Sequence, residues 1–275
     1  MTYSIDAVKY RERARGFIHA VTGLDVNLDD PRTIQEKLCW LNIYEPDLLK
    51  TKCADKIRLR FYADDVLEKN ICVPLKQVYD SAAEINWSEI PERCVIKCNH
   101  GSGMNIMIPY ASTLRYSDTV MMREKLEKWM SIDFAFQNGF EAHYHDIKHR
   151  ILIEEYLEGG YGLHDYKFWC FNGEPKLYTI NNGYGHGDIM YYKMDGTPWN
   201  LYGVPEHQGY RRPEHFDEMV EYSRKLAAPF KFVRCDFYEV DGMVYLGEMT
   251  FTPGACAFRY KKDEDNFAVG DLLTL

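Results

Sequence analysis

Two dipeptides constrain this chain more than anything else in it. Asn172-Gly173 and Asp241-Gly242 each interrupt a long run of β-forming residues, DYKFWCF-NG-EPKLYTI (165–180) and FVRCDFYEV-DG-MVYLGEMTF (232–251). An Asn-Gly or Asp-Gly pair between alternating apolar residues is the strongest short-range signal for a two-residue hairpin turn, because both central positions tolerate positive φ. Each run is therefore expected to fold back on itself as an antiparallel ribbon. A chain with two such ribbons is committed to antiparallel sheet over much of its C-terminal half.

Around the ribbons lie helical stretches. Residues 31–50 read as an amphipathic helix ending near Tyr44-Glu45-Pro46, and residues 51–70 as a second helix with Ala54-Asp55-Lys56 at its start. Residues 117–130 (SDTVMMREKLEKWM) form a helix with Val120, Met121, Leu126, Trp129 and Met130 on one stripe, and 212–230 a helix stopped by Pro229. Residues 93–98 and 104–108 are strands around a glycine turn, and RILIEEYL (150–157) is another strand. Helices alternating with antiparallel hairpins predict an α+β fold with more than one sheet. The length, 275 residues, suffices for two lobes.

The formal net charge of −9 argues against a nucleic-acid binder, since phosphate backbones select basic faces. No stretch approaches the roughly 20 apolar residues of a membrane span. The N-terminal sequence has no apolar signal-peptide core, and the eight cysteines contain no CxxC pair, so reduced thiols and a cytoplasmic location are expected. Cys94, Cys98 and His100 match no standard zinc spacing, and His145 and His149, though i, i+4, lack an HExxH pattern.

Four stretches carry chemistry. In CVIKCNHGSGMNI, Lys97 sits on a strand and Gly101-Ser102-Gly103 forms a turn whose backbone can approach an anion; an ordinary hairpin turn is the competing reading. ILIEEYL places Glu154 and Glu155 at a strand end, which suits the back of a cleft; taken by itself it reads first as an edge strand with a solvated acidic end, since acidic strand ends are common. Asp165 and Lys167 lie two apart on one strand face, as a surface ion pair also would. In the last ribbon, symmetry about Asp241-Gly242 sets Asp236 opposite position 247 and close to Glu248. Two carboxylates so close in an apolar ribbon repel unless a hard divalent cation lies between them or one pairs with Arg234.

In order, the segments EKLCWLN, ADKIRLR, KCNHGSGMNI, EKW, RILIEEYL, DYKFWCFNGEPK, FVRCDFYEVDG and GEMTFTPG resemble the TupA-like (teichuronopeptide biosynthesis) branch of the ATP-grasp superfamily, from about residue 33 to the C-terminus. The resemblance implies an ATP-grasp fold with two lobes whose antiparallel sheets clasp ATP. It divides the chain into an N-terminal helical, substrate-side region (1–90), a small lobe with the glycine-rich loop (91–150) and a large lobe with the metal site (151–275). It implies that Lys56 and Lys97 contact the α- and β-phosphates and that Gly101, Ser102 and Gly103 close over the β- and γ-phosphates. Glu154 would accept from the adenine amino group, with the backbone near Glu155 and Leu157 completing adenine recognition. Asp165 would hold ribose, Lys167 the γ-phosphate and Arg234 the acyl phosphate. Asp236 and Glu248 would bind one or two Mg²⁺ ions, with Thr250 where the wider superfamily presents Asn. The implied activity is an ATP-dependent carboxylate–amine ligase that joins an amino acid or peptide to a uronic-acid-containing surface polysaccharide or its precursor. Trp40, Tyr184, Trp199, Arg211, Arg212, Arg259 and Tyr260 are acceptor-side candidates. The alternatives are a glycosyltransferase, an ATP-grasp sugar kinase and a non-catalytic glycan-binding module.

Overall fold

The computed structural model describes residues 6–181, 189–204 and 212–275. Among them are seven α-helices and ten strands. The N-terminal region holds α1 (Arg11–Thr22), α2 (Ile34–Tyr44), α3 (Leu48–Ala54) and α4 (Arg58–Leu67). α2 starts in a capping box, where the Thr33 side chain accepts from the Glu36 N–H and the Glu36 carboxylate accepts from the Thr33 N–H. It ends at Tyr44, before Pro46, as its sequence requires. The helix expected from residue 51 is instead broken. Asp47 caps the short α3, which stops at Ala54, and Asp55 accepts from the N–H groups of Ile57 (2.8 Å) and Arg58 (3.3 Å) to open α4. Lys56 therefore sits on a tight corner between two helices rather than inside one.

The first sheet joins β1 (Leu75–Tyr79), β2 (Cys94–Cys98), β3 (Asn105–Ile108) and β4 (Ile151–Glu155) in the order β1-β4-β2-β3, with every pair antiparallel. It spans the 90/91 and 150/151 divisions drawn from the sequence, because β1 and β4 are both members. α5 (Tyr116–Met130) follows β3. Its expected apolar stripe is buried only toward its C-terminal end: Leu126 is buried and Trp129 and Met130 pack partly buried against the core, whereas Val120 and Met121 are exposed.

The second sheet has the order β10-β9-β5-β6-β7-β8, built from β5 (Asp165–Phe171), β6 (Glu174–Asn181), β7 (Tyr191–Lys193), β8 (Pro198–Trp199), β9 (Phe232–Val240) and β10 (Met243–Thr250), again antiparallel throughout. Both hairpin turns form where the dipeptides lie, with positive φ at Asn172 (49°), Gly173 (83°), Asp241 (51°) and Gly242 (72°). α6 (Phe216–Ala227) covers one face of this sheet through Phe216, Met219 and Leu226, with the Phe216 ring 5.4 Å from that of Phe168. It starts later than residue 212 because Glu239 accepts from the N–H groups of Glu214 and His215 just before it. The other face of the sheet carries the site. α7 (Asp263–Gly270) packs against α2.

All eight cysteines are buried and none is in a disulfide. Among the described residues no helix is long and apolar enough to cross a membrane. His145 and His149 lie in no helix. His145 faces Asp133 (2.6 Å), and His149 stacks on His100 with ring centroids 3.6 Å apart.

Candidate active site in the cleft between the sheets

Register places the charged residues. Across β5, β9 and β10, Lys167 lies opposite Asp236 and Asp236 opposite Glu248; in the next row Arg234 lies opposite Thr250. Simple symmetry about the turn would put position 247 against Asp236. A β-bulge between Leu246 and Glu248 takes up one residue, reverses the alternation and brings Glu248 onto the face of Asp236. Gly247 fills the bulge, and a Cβ there would stand 2.8 Å from the Tyr238 ring. The glycine therefore leaves room for the ring of Tyr238, two residues beyond Asp236 on the same strand face, beside the bulge.

The side chains form a dense ionic cluster. Arg234 donates to both oxygens of Asp236 at 2.6 Å, to Glu248 at 3.3 Å and to the Thr250 hydroxyl at 3.1 Å. Lys167 donates to Asp236 at 2.7 Å and also to Asp165. Burial alone would raise the Glu248 carboxyl, but Lys56, Arg234 and Lys167 outweigh it and hold it down at about 2. Asp165 shows the opposite balance. Burial dominates and its carboxyl is pushed up to about 6, with one buried oxygen lacking a hydrogen-bond partner. Burial lowers the Lys56 ammonium, with Glu248 opposing.

The first sheet supplies the facing wall. Lys97 lies 2.5 Å from Glu154, and Arg60, from the first turn of α4, bonds the other oxygen of that carboxylate. Burial would raise the Glu154 carboxyl, but these two cations keep it below its ordinary value. The oxygens expected to face adenine are thus already engaged by cations. The Glu155 N–H is likewise used, by the Pro74 carbonyl (2.9 Å), and its side chain pairs with Lys76 at the surface. Leu157 remains in the cleft, with Val73, Val95, Met107, Leu163 and Tyr238 as its apolar walls.

The glycine turn is pinned from two sides. Lys56 donates to the Gly101 carbonyl at 2.5 Å, and a Cβ on Gly101 would meet the Phe134 ring at 2.5 Å. Lys56 also lies 4.0 Å from Glu248, so it connects the turn of one sheet to the acidic pair of the other. Ser102 and Gly103 are exposed at the tip, and Gly103 has φ +72°. Asn99 ties the corner together: it donates to Asp55 (2.9 Å) and accepts from the Arg150 N–H (2.7 Å), while its carbonyl accepts from the Lys56 N–H (3.2 Å).

A model of the TupA-like ATP-grasp family matches residues 36–274. The chain belongs to that family. ATP-grasp proteins are ligases that in general use ATP and Mg²⁺, and the pair of antiparallel sheets described above is the α+β arrangement of their fold. Similar solved structures include the D-alanine–D-alanine ligase of Helicobacter pylori, with 15% identity, TM-score 0.45, and coverage of 87% of this chain and 67% of that one. The D-alanine–D-alanine ligase of Bacillus anthracis has 14% identity and TM-score 0.41, covering 80% and 67%. The L-amino acid ligase of Bacillus licheniformis has 12% identity and TM-score 0.44, covering 80% and 49%. None of the curated proteins compared matches the chain.

The donor set of this TupA-like chain fits a hard cation. Asp236, Glu248 and Thr250 offer only oxygens on neighbouring strands, which suits Mg²⁺. Among the described residues no three His, Cys, Asp or Glu side chains converge as a metal cage.

Of the acceptor-side candidates, Tyr184 and Arg211 lie outside the described residues. Tyr260 is buried among Tyr191, Tyr202 and Phe258. Trp199 donates to Asp265, Arg212 and Arg259 pair with Asp217 and Asp263, and Trp40 packs on Tyr44. The sequence reading missed Arg60 and Tyr238; spacing marks Tyr238, two past Asp236 on one strand, but nothing local marks Arg60, whose partner Glu154 lies 94 residues away. It also missed Glu141, which is buried, is bonded by the Thr252 hydroxyl and has no cationic partner among the described residues; burial pushes its carboxyl up to about 7.

Proposed function

We propose that the chain is an ATP-dependent carboxylate–amine ligase that works through an acyl phosphate. The observation that carries this reading is the convergence of Lys56, Lys97, Lys167 and Arg234, drawn from both sheets and the N-terminal corner, on a cleft that also holds an opposed carboxylate pair. Four cations in one cleft match a triphosphate and the charge that develops during its transfer. Lys56 and Lys97 hold the α- and β-phosphates, the turn at Gly101, Ser102 and Gly103 covers the β- and γ-phosphates, and Lys167 reaches the γ-phosphate. Adenine lies among Val73, Val95, Met107 and Leu157, with Glu154 in the same wall and Asp165 at the ribose. Asp236, Glu248 and Thr250 hold Mg²⁺, which supplies charge neutralisation at the phosphates.

In the reaction, a substrate carboxylate oxygen attacks the γ-phosphorus and ADP leaves. Arg234 steadies the resulting acyl phosphate and the oxyanion of the tetrahedral intermediate. The amine nitrogen then attacks the acyl carbon, phosphate departs, and the nitrogen gives up a proton to leave the amide. Positioning and charge neutralisation account for the rate, and no nucleophilic side chain is needed. The substrates we propose are a uronic-acid-bearing surface polysaccharide or its precursor and an amino acid or peptide, joined in the cytoplasm; the family assignment supports this reading.

The test is ADP release in the presence of a uronic acid and a panel of amino acids. A ligase needs both for sustained turnover and stalls at the acyl phosphate when the amine is omitted. Full turnover without amine identifies a sugar kinase instead, and UDP release from a nucleotide sugar identifies a glycosyltransferase.

A further inference from the structure

Arg60 lies outside the set of phosphate, ribose and metal contacts proposed above, yet the structure builds it into the wall of the cleft. It extends from the first turn of α4, and its side chain is 12% exposed. One terminal nitrogen donates to the Val73 carbonyl at 2.5 Å and the other to Glu154. The second oxygen of Glu154 lies 2.5 Å from the Lys97 ammonium. Val73, Glu154 and Lys97 line one cleft. A single guanidinium therefore sets both a backbone segment and an anion of that wall.

The charge count gives this arrangement a consequence. One carboxylate faces two cations, so the group of three carries one positive charge in excess. The planar fork of Arg60 fixes direction as well as charge. It is anchored twice, by a backbone carbonyl and by the carboxylate. Lys97, on a flexible stem, shares what remains of the carboxylate and is the partner free to turn toward an anion. Were Arg60 absent, Glu154 would pair with Lys97 alone, and a phosphate would have to compete with a full buried ion pair.

We infer that Arg60 is a positioning residue for nucleotide binding, acting through Glu154 to hold Lys97 available to the phosphates. This rests on the proposed nucleotide site. The alternative is that Arg60 only fastens α4 to the first sheet, and coupling separates the two. The assay is titration of the full-length protein with Mg·AMP-PNP, with thermal midpoints recorded in parallel. Arg60→Lys keeps the charge and loses the fork, so it preserves folding better than Arg60→Ala. It is expected to weaken nucleotide binding by on the order of tenfold, as loss of an orienting partner does at other charged sites. In a Lys97→Ala background the same change is expected to have little further effect, because its target is gone. Equal affinity of Arg60→Lys and wild type, or an undiminished loss in the Lys97→Ala background, overturns the inference. Failure of the wild-type protein to bind Mg·AMP-PNP overturns the nucleotide reading itself.

Discussion

Replacing Glu141 by Gln tests how the structure handles a buried acid. Glu141 is 5% exposed, takes a hydrogen bond from Thr252 and faces no cation among the described residues. Burial raises its carboxyl from 4.5 to about 7, against which the Thr252 hydroxyl pulls only weakly. The folded state then holds this proton more tightly than the unfolded chain. Its contribution is complete below about pH 4.5 and is lost as the pH rises through 7. At 1.36 kcal/mol per tenfold change in proton affinity, the loss is about 3 kcal/mol. Gln fills the same volume, can still bond Thr252 and never ionises. Urea unfolding of both proteins should give nearly equal stabilities at pH 4 and an advantage of roughly 3 kcal/mol for Glu141→Gln at pH 8. Histidines and surface carboxylates titrate in both proteins and cancel in the difference. Parallel stability curves from pH 4 to 8 would refute the argument, because they would mean that Glu141 ionises in the folded protein as it does in water.

Three further substitutions read out local geometry. Gly101→Ala places a methyl 2.5 Å from the buried Phe134 ring, an overpacking expected to cost about 1–3 kcal/mol in thermal melts and to displace the carbonyl that Lys56 bonds; Gly101→Ala with Phe134→Leu should recover most of the loss. Gly247→Ala drives the Tyr238 ring from its place beside the bulge, and binding of Mg·AMP-PNP should weaken several-fold with little change in melting temperature. Asp55→Ala removes the acceptor at the start of α4 and leaves the buried Asn99 amide without that partner, so unfolding should be easier by about 2–4 kcal/mol; a change under about 0.5 kcal/mol would show the corner to be adaptable.

The legible parts of the fold were those governed by local chemistry. Asn172-Gly173 and Asp241-Gly242 announce their turns, and Pro46 the end of α2 near Tyr44, because each depends on a few adjacent residues. Two features were hidden because the decisive partner lies far away in the chain. The break at Asp55 is stabilised by Asn99, 44 residues on, and helical propensity alone runs straight through it. The first sheet closes through β1, whose weakly apolar LKQVY gave no strand signal and which pairs with β4 more than 70 residues later. At the site, alternation on one strand was enough to group Asp165 with Lys167 and Arg234 with Asp236. The bulge at Gly247 was not foreseen, since a glycine before Glu248 carries no mark of the register change it makes. Nor does spacing disclose that Glu154 already binds two cations, one of them from α4.

Everything proposed for the chemistry turns on whether Asp236 and Glu248 hold a magnesium ion against a triphosphate. The direct measurement is calorimetric titration of wild type and Glu248→Gln with AMP-PNP, with and without Mg²⁺. The account predicts that Mg²⁺ tightens binding to wild type by tenfold or more and that Glu248→Gln, still folded, loses most of that enhancement. Nucleotide affinity indifferent to Mg²⁺ in wild type, or a full enhancement retained in Glu248→Gln, would contradict it.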